Sequence, residues 1–168
     1  MLAPFKEVVR PDVVELGNPI SLDLSSRSGG ATMKERISAV LVHDQAAHIA
    51  DLARALESIC AEIKTARTCQ EALTQIKQPN PPHLLFTDVV LPDGTWADLL
   101  TEVRKTSPPV GVIVAARLVN IPLYLDVLDR GAVDFVAPPF NREEVAWVVK
   151  HAARHVWKRR GTETGKVS

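Results

Sequence analysis

Asp88 and Asp44 are the residues of this chain best placed to do chemistry. Each closes a short apolar run: Leu84-Leu85-Phe86-Thr87 before Asp88, and Ile37-Ser38-Ala39-Val40-Leu41-Val42, with His43, before Asp44. Apolar runs of this length, bounded by turn residues, read as buried strands. Leu91-Pro92-Asp93-Gly94 supplies such a turn just after Asp88. In an open α/β sheet, ligands bind at the carboxyl edge of the strands. Neighbouring parallel strands would bring both carboxylates to that edge. A few ångströms apart they repel by roughly 4 kcal/mol at an effective dielectric of about 20, unless a cation or proton joins them. Oxygen donors of this kind suit Mg²⁺ better than a transition metal. Alone, a strand-end acid serves as readily to cap the following helix.

The elements that must hold these acids alternate along the chain, as in a parallel sheet with crossover helices. Strands are expected at about 37–43, 62–65, 83–87, 110–115 and 134–137. Helices are expected near 45–58, 69–77, 96–105, 121–130 and 141–158. Gly131 stops the fourth helix. Asn141 caps the fifth, with Glu144 three residues on, and Val145, Val148, Val149, Ala152 and Val156 form its buried stripe. Residues 1–35, broken by Pro4, Pro11, Pro19 and the run Ser25-Ser26-Arg27-Ser28-Gly29-Gly30, read as a flexible extension. Residues 159–168 read as a polar tail.

Composition narrows the function classes. The 168 residues predict one domain with a real core, and 46% hydrophobic content excludes wholesale disorder. Zero formal charge gives no global pull toward nucleic acid or anionic membrane. The longest uncharged stretch, Thr106 to Ala116, is far too short to span a bilayer. The N-terminus lacks a signal-peptide pattern, so a cytoplasmic protein is expected. Cys60 and Cys69 are expected to be reduced packing residues. No Gly-rich phosphate loop, Cys/His metal spacing or nucleophile elbow appears, so no enzyme is expected.

Taken in order, the motifs resemble the receiver domain of bacterial two-component response regulators, as an atypical, degenerate member. They are His43-Asp44, Asp88, Leu91-Pro92-Asp93-Gly94 and Asp134-Phe135-Val136-Ala137-Pro138-Pro139-Phe140. The likeness runs over residues 36–158 and implies a flavodoxin-like (βα)5 fold: a doubly wound, five-stranded parallel sheet of order 2-1-3-4-5. It implies that Asp88 accepts a phosphoryl group from a histidine kinase or phosphotransfer protein. Mg²⁺ would be held by Asp44, Asp88 and the backbone carbonyl of Val90.

Four positions depart from the family pattern. His43 stands where an acid usually holds the metal through water. The hydroxyl that ends strand 4 falls on Ala115 or Ala116, depending on the register counted. The strand 5 lysine falls on Pro138, which offers neither charge nor backbone donor. Phe135 matches the aromatic switch position and, without the hydroxyl, is expected simply to be packed. A phosphoryl group on Asp88 would thus lose charge-assisted contacts typically worth about 1.5–3 kcal/mol each. Nothing after Lys158 is long enough for another domain. The expectation is a stand-alone receiver without a DNA-binding module, signalling by contact with a downstream partner or as a homodimer. The alternative is a phosphorylation-independent pseudo-receiver that serves as an interaction module. Trp147 and Trp157 lie off the apolar stripe and, if exposed, would mark a partner surface; otherwise they would pack against the N-terminal extension.

Overall fold

A computed structural model describes residues 35–45 and 47–167. Apart from Glu35, the expected extension over 1–35 lies outside the described residues, and so does Ala46. Strand β1 (Glu35–Val42) carries Ile37, Ala39, Val40, Leu41 and Val42 buried on both faces. Such a run belongs inside a sheet covered by helices on both sides. A 3-10 turn (Ala47–Ile49) leads into helix α1 (Ala50–Ile59), which passes without a loop residue into β2 (Cys60–Ala66). Then come α2 (Cys69–Ile76), β3 (Leu84–Thr87) and a small antiparallel hairpin, β4 (Val90–Leu91) with β5 (Gly94–Thr95). The chain continues through α3 (Trp96–Val103), β6 (Gly111–Ala115), α4 (Ile121–Asp129), β7 (Asp134–Val136) and α5 (Arg142–Val167).

The main sheet runs β2-β1-β3-β6-β7, the five-stranded parallel order 2-1-3-4-5 of a flavodoxin-like fold. Register is fixed by pairs such as Val42 with Thr87 and Phe86 with Ile113. On one face, α1 and α5 pack Leu52, Leu56, Val145, Val148, Val149, Ala152 and Val156 against Leu41, Phe86, Ile113 and Ala115. The expected stripe of α5 is therefore its buried face. Alternate strand residues point to the other face, where α2, α3 and α4 contribute Ala72, Leu99, Val103 and Val127.

The starts of α2, α3, α4 and α5 follow short polar side chains, because the first N–H groups of a helix lack intrahelical partners. Thr68 caps α2 through the Glu71 N–H at 3.0 Å, and Thr95 forms a capping box with Asp98. Asn120 caps α4, and Asn141 Oδ1 accepts from the Glu143 and Glu144 N–H groups at 2.8 and 3.3 Å. After α4, Gly131 takes φ +101°, a left-handed conformation that suits glycine, and Arg104 Nη1 donates to the Arg130 carbonyl at 2.6 Å.

The last helix departs from expectation. It does not give way to a tail after Lys158 but continues to Val167. Within the part expected as a tail, the Arg160 guanidinium donates to the Pro109 and Pro82 carbonyls at 2.9 and 2.7 Å. Those bonds tie the helix to the loops that precede β6 and β3. Trp147 is half-buried against the core and stacks on His151, while Trp157 is exposed and meets His83 edge-on at 5.9 Å.

His83 supplies a pH-dependent element at this end of the sheet. Its Nδ1 accepts the Ser38 N–H at 3.1 Å and must be unprotonated to do so. Burial first, then the Arg160 charge, holds its pKa below the ordinary histidine value. A depressed folded-state pKa contributes stability that is present above the unfolded value of about 6.5 and lost as pH falls through the folded value. The urea midpoint should therefore drop between pH ~7 and ~5 in the wild type. In His83→Asn the amide oxygen can take the same N–H without titrating, so part of that drop should disappear.

Candidate functional site

Strand β3 delivers Asp88 to the carboxyl edge at the centre of the sheet. Its four residues are all buried, and Asp88 itself is only 4% exposed. The Asp88 N–H donates to the Val42 carbonyl at 3.0 Å, which extends the β1–β3 pairing by one step. Its Oδ1 accepts the Val89 N–H at 2.8 Å, and Thr87 Oγ1 donates to its carbonyl at 2.9 Å. Backbone and side chain are thus both fixed before any ligand arrives.

Two histidines border this acid. His43 follows β1, with its N–H donated to the Ala66 carbonyl at 2.9 Å. Among the described residues its buried Nδ1 has no hydrogen-bond partner. Its pKa is lowered, first by burial and then by the neighbouring His48, while Asp88 pulls the other way. His48 sits on the 3-10 turn, and its Nε2 lies 3.3 Å from Asp88 Oδ2, within ion-pair reach but without hydrogen-bond geometry. Sequence reasoning missed this neighbour. The sequence places His48 in the first turn of the helix expected near 45–58, whereas that stretch is a 3-10 turn, and the reach of the side chain depends on this turn rather than on any periodicity.

Asp44 follows His43 and is exposed, with the Arg67 Nη2 at 3.5 Å. Exposed pairs of this length contribute little to stability. Val90 opens the β4–β5 hairpin and is 66% exposed. The hairpin is tied down by Asp93, whose carboxylate accepts the Cys69 N–H at 2.8 Å and the Gln70 N–H at 3.1 Å in the first turn of α2. Those bonds, the one to Cys69 foremost, hold the Asp93 pKa below the usual carboxylate range. Asp93 therefore acts as a long-range helix cap. Burial and Asp93 push the Cys69 thiol up to about 11, and Cys69 and Cys60 are both buried and not in a disulfide. A thiol in the state of Cys69 is a poor nucleophile and behaves as a packing residue.

At the other flank, Ala115 lies in the core cluster with Ile113 and Val136. Ala116 is one residue beyond β6, buried, with its N–H on the Val136 carbonyl at 2.9 Å. Neither brings a hydroxyl to the edge. Pro138 is half-buried just past β7 and brings no cation. Phe135 is buried and meets Tyr124 edge-to-face at 5.5 Å, a packed ring as expected.

A receiver domain typically binds Mg²⁺, and the donors here fit that ion in part. Asp44, Asp88 and the Val90 carbonyl offer hard oxygens around one sheet edge, the right chemistry for Mg²⁺. Against the fit, His48 faces one oxygen of Asp88, and His43 adds a second imidazole. Among the described residues no three His, Cys, Asp or Glu side chains converge on a metal position. The expected set contains only two such side chains.

Residues 39–150 match the response regulator receiver domain. The chain is 27% identical over 108 residues to the acid tolerance regulatory protein ActR of Rhizobium meliloti, covering 64% of this chain and 55% of that protein. It is 30% identical over 125 residues to the nitrogen assimilation regulatory protein NtrX of Azorhizobium caulinodans, covering 72% of this chain and 27% of that protein. The chain thus spans about half the length of ActR and about a quarter of NtrX. Among solved structures, a LuxO-type receiver domain from Vibrio parahaemolyticus superposes with a TM-score of 0.66 at 23% identity, covering 76% of this chain and 98% of that one. A putative response regulator from Chloroflexus aurantiacus gives 0.65 at 25% identity, covering 71% and 99%. No helix among the described residues is long and apolar enough to cross a membrane. The chain belongs to the response regulator receiver domain family of two-component signalling, a signalling module rather than a catalytic enzyme.

Proposed function

We propose that Asp88 accepts a phosphoryl group from a phosphohistidine on a histidine kinase or phosphotransfer protein, and that the chain passes the signal on by protein–protein contact. The observation that carries this reading is the position of Asp88 at the carboxyl end of the central strand β3, fixed by its own backbone neighbours. In the transfer, a carboxylate oxygen of Asp88 attacks phosphorus and forms the O–P bond of a mixed anhydride. The P–N bond to the donor imidazole breaks, and that nitrogen keeps the electron pair and regains a proton. Mg²⁺, held weakly by Asp44, Asp88 and the Val90 carbonyl, would neutralise charge on the transferring group.

A second reading is favoured by Ala116, Pro138 and His43, which leave the site without a hydroxyl, a lysine or a second acid. On that reading the domain is a pseudo-receiver whose contacts are independent of phosphate. Intact-mass measurement after incubation with Mg²⁺ and a small-molecule phosphodonor separates the two. One added phosphoryl group on wild type, absent in Asp88→Asn, supports phosphotransfer. An unmodified wild type that stays folded supports the pseudo-receiver.

A further inference from the structure

We infer that His48 is a cover over the acceptor carboxylate, so that donors reach Asp88 only when this imidazole swings away. The inference rests on the reading of Asp88 as phosphoacceptor and concerns how that same site is controlled. Both oxygens of Asp88 already have neighbours: Oδ1 takes the Val89 N–H at 2.8 Å, and Oδ2 faces His48 Nε2 at 3.3 Å. With Oδ1 turned to the backbone, Oδ2 is the oxygen left to meet an incoming phosphorus atom. His48 stands against that oxygen. In this pair the imidazole is the outer member, since its side chain keeps 18% exposure against 5% for the carboxylate. The carboxylate is the more deeply buried of the two, and the His48 Nε2 that faces it is buried as well.

The turn that carries His48 is anchored by packing, while its Nε2 makes no hydrogen bond among the described residues. Ile49, the next residue, is 1% exposed and packs in the core cluster, which holds the backbone at the start of α1. Nε2 lies within ion-pair distance of Asp88 but forms no hydrogen bond among the described residues. With the backbone held by Ile49 and no hydrogen bond at Nε2, side-chain rotation is the motion that would open the site. Any process that needs the free carboxylate then draws only on the open fraction, and its apparent strength falls by that fraction. Removing the ring should raise it by about tenfold or more.

Carboxyl footprinting reads this cover without phosphate. A water-soluble carbodiimide with an added amine converts reachable carboxyls to amides, and peptide mapping scores Asp88 in wild type, His48→Ala, His48→Asn and His48→Gln. A parallel arm measures the rate of phosphoryl labelling with Mg²⁺ and a small phosphodonor, and thermal unfolding identifies the variants that keep the fold. Amidation of Asp88 should rise about tenfold or more in His48→Ala and rise in the shorter His48→Asn. It should stay near wild type in His48→Gln, whose amide spans a similar reach. The labelling rate should rise in the same order. If amidation rises while no variant is ever phosphorylated, the cover stands and the phosphoacceptor reading fails. Unchanged amidation in folded variants overturns the cover, whatever the labelling does. Higher amidation with equal, measurable labelling overturns its control of transfer.

Discussion

Phe86→Ala is expected to lower unfolding stability by about 3–5 kcal/mol, the range for deleting a buried aromatic side chain. Phe86 is fully buried at the centre of β3, opposite Leu41 on one neighbouring strand and Ile113 on the other. It lies in the same cluster as α1 and α5, so the cavity would open between the sheet and both helices of that face. Phe86→Leu keeps most of the volume and should lose under half as much. Urea unfolding at neutral pH is the measurement. A loss below about 1 kcal/mol for the alanine variant would mean that the strand does not sit at the centre of the core. Phe86 is also two residues from Asp88, so the alanine variant should loosen the acceptor's backbone bond to Val42 as well.

Restoring the missing charge should strengthen binding of a phosphoryl mimic on Asp88. In Pro138→Lys, one ammonium returns at the end of β7, beside the edge where the anion would sit. A charge-assisted contact of this type is worth on the order of 1–3 kcal/mol, roughly a fivefold to 150-fold gain in affinity. Adding Ala116→Thr should contribute a smaller increment of about 1 kcal/mol through a hydrogen bond. Ala116 is the position to choose, because Ala115 lies within the core cluster and Ala116 does not. Ala116 is also 2% exposed, so the added atoms could cost about 1–3 kcal/mol of stability, to be checked by unfolding before binding is measured. Calorimetry with a beryllium fluoride mimic and Mg²⁺ reads the affinity. If both variants fold and neither binds more tightly than wild type, the end of β7 does not face the acceptor site.

How much of this was legible in the sequence depends on what each element needs. Strands such as β1 and β3 were readable because a strand buried on both faces must be continuously apolar. The stripe Val145, Val148, Val149, Ala152 and Val156 was readable because a helix with one buried face must repeat every three to four residues. Asp88 was readable for a related reason: an acid that ends an apolar run can only stand at the edge. Residues acting across the fold left no such trace. Asp93 looks like a turn residue, and its two bonds to the first turn of α2 exist only once the hairpin is folded. The side chain of His48 reaches Asp88 through a 3-10 turn that no periodicity announces. The end of α5 was misplaced because Lys158-Arg159-Arg160 reads as a solvated run, whereas Arg160 is tied to two loop carbonyls. The β2 boundary was blurred because Ile59 leads straight into Cys60, with no Gly or Pro to mark the change.

The central claim is that Asp88 itself takes the phosphoryl group, and borohydride trapping tests it most directly. An acyl phosphate on an aspartate is reduced to homoserine, whereas free carboxylates are left alone. After incubation with Mg²⁺ and a small phosphodonor, then borohydride, peptide sequencing by mass spectrometry should find homoserine at position 88. Homoserine at Asp44 or Asp93 instead, or at no position in a protein that remains folded, would contradict the account.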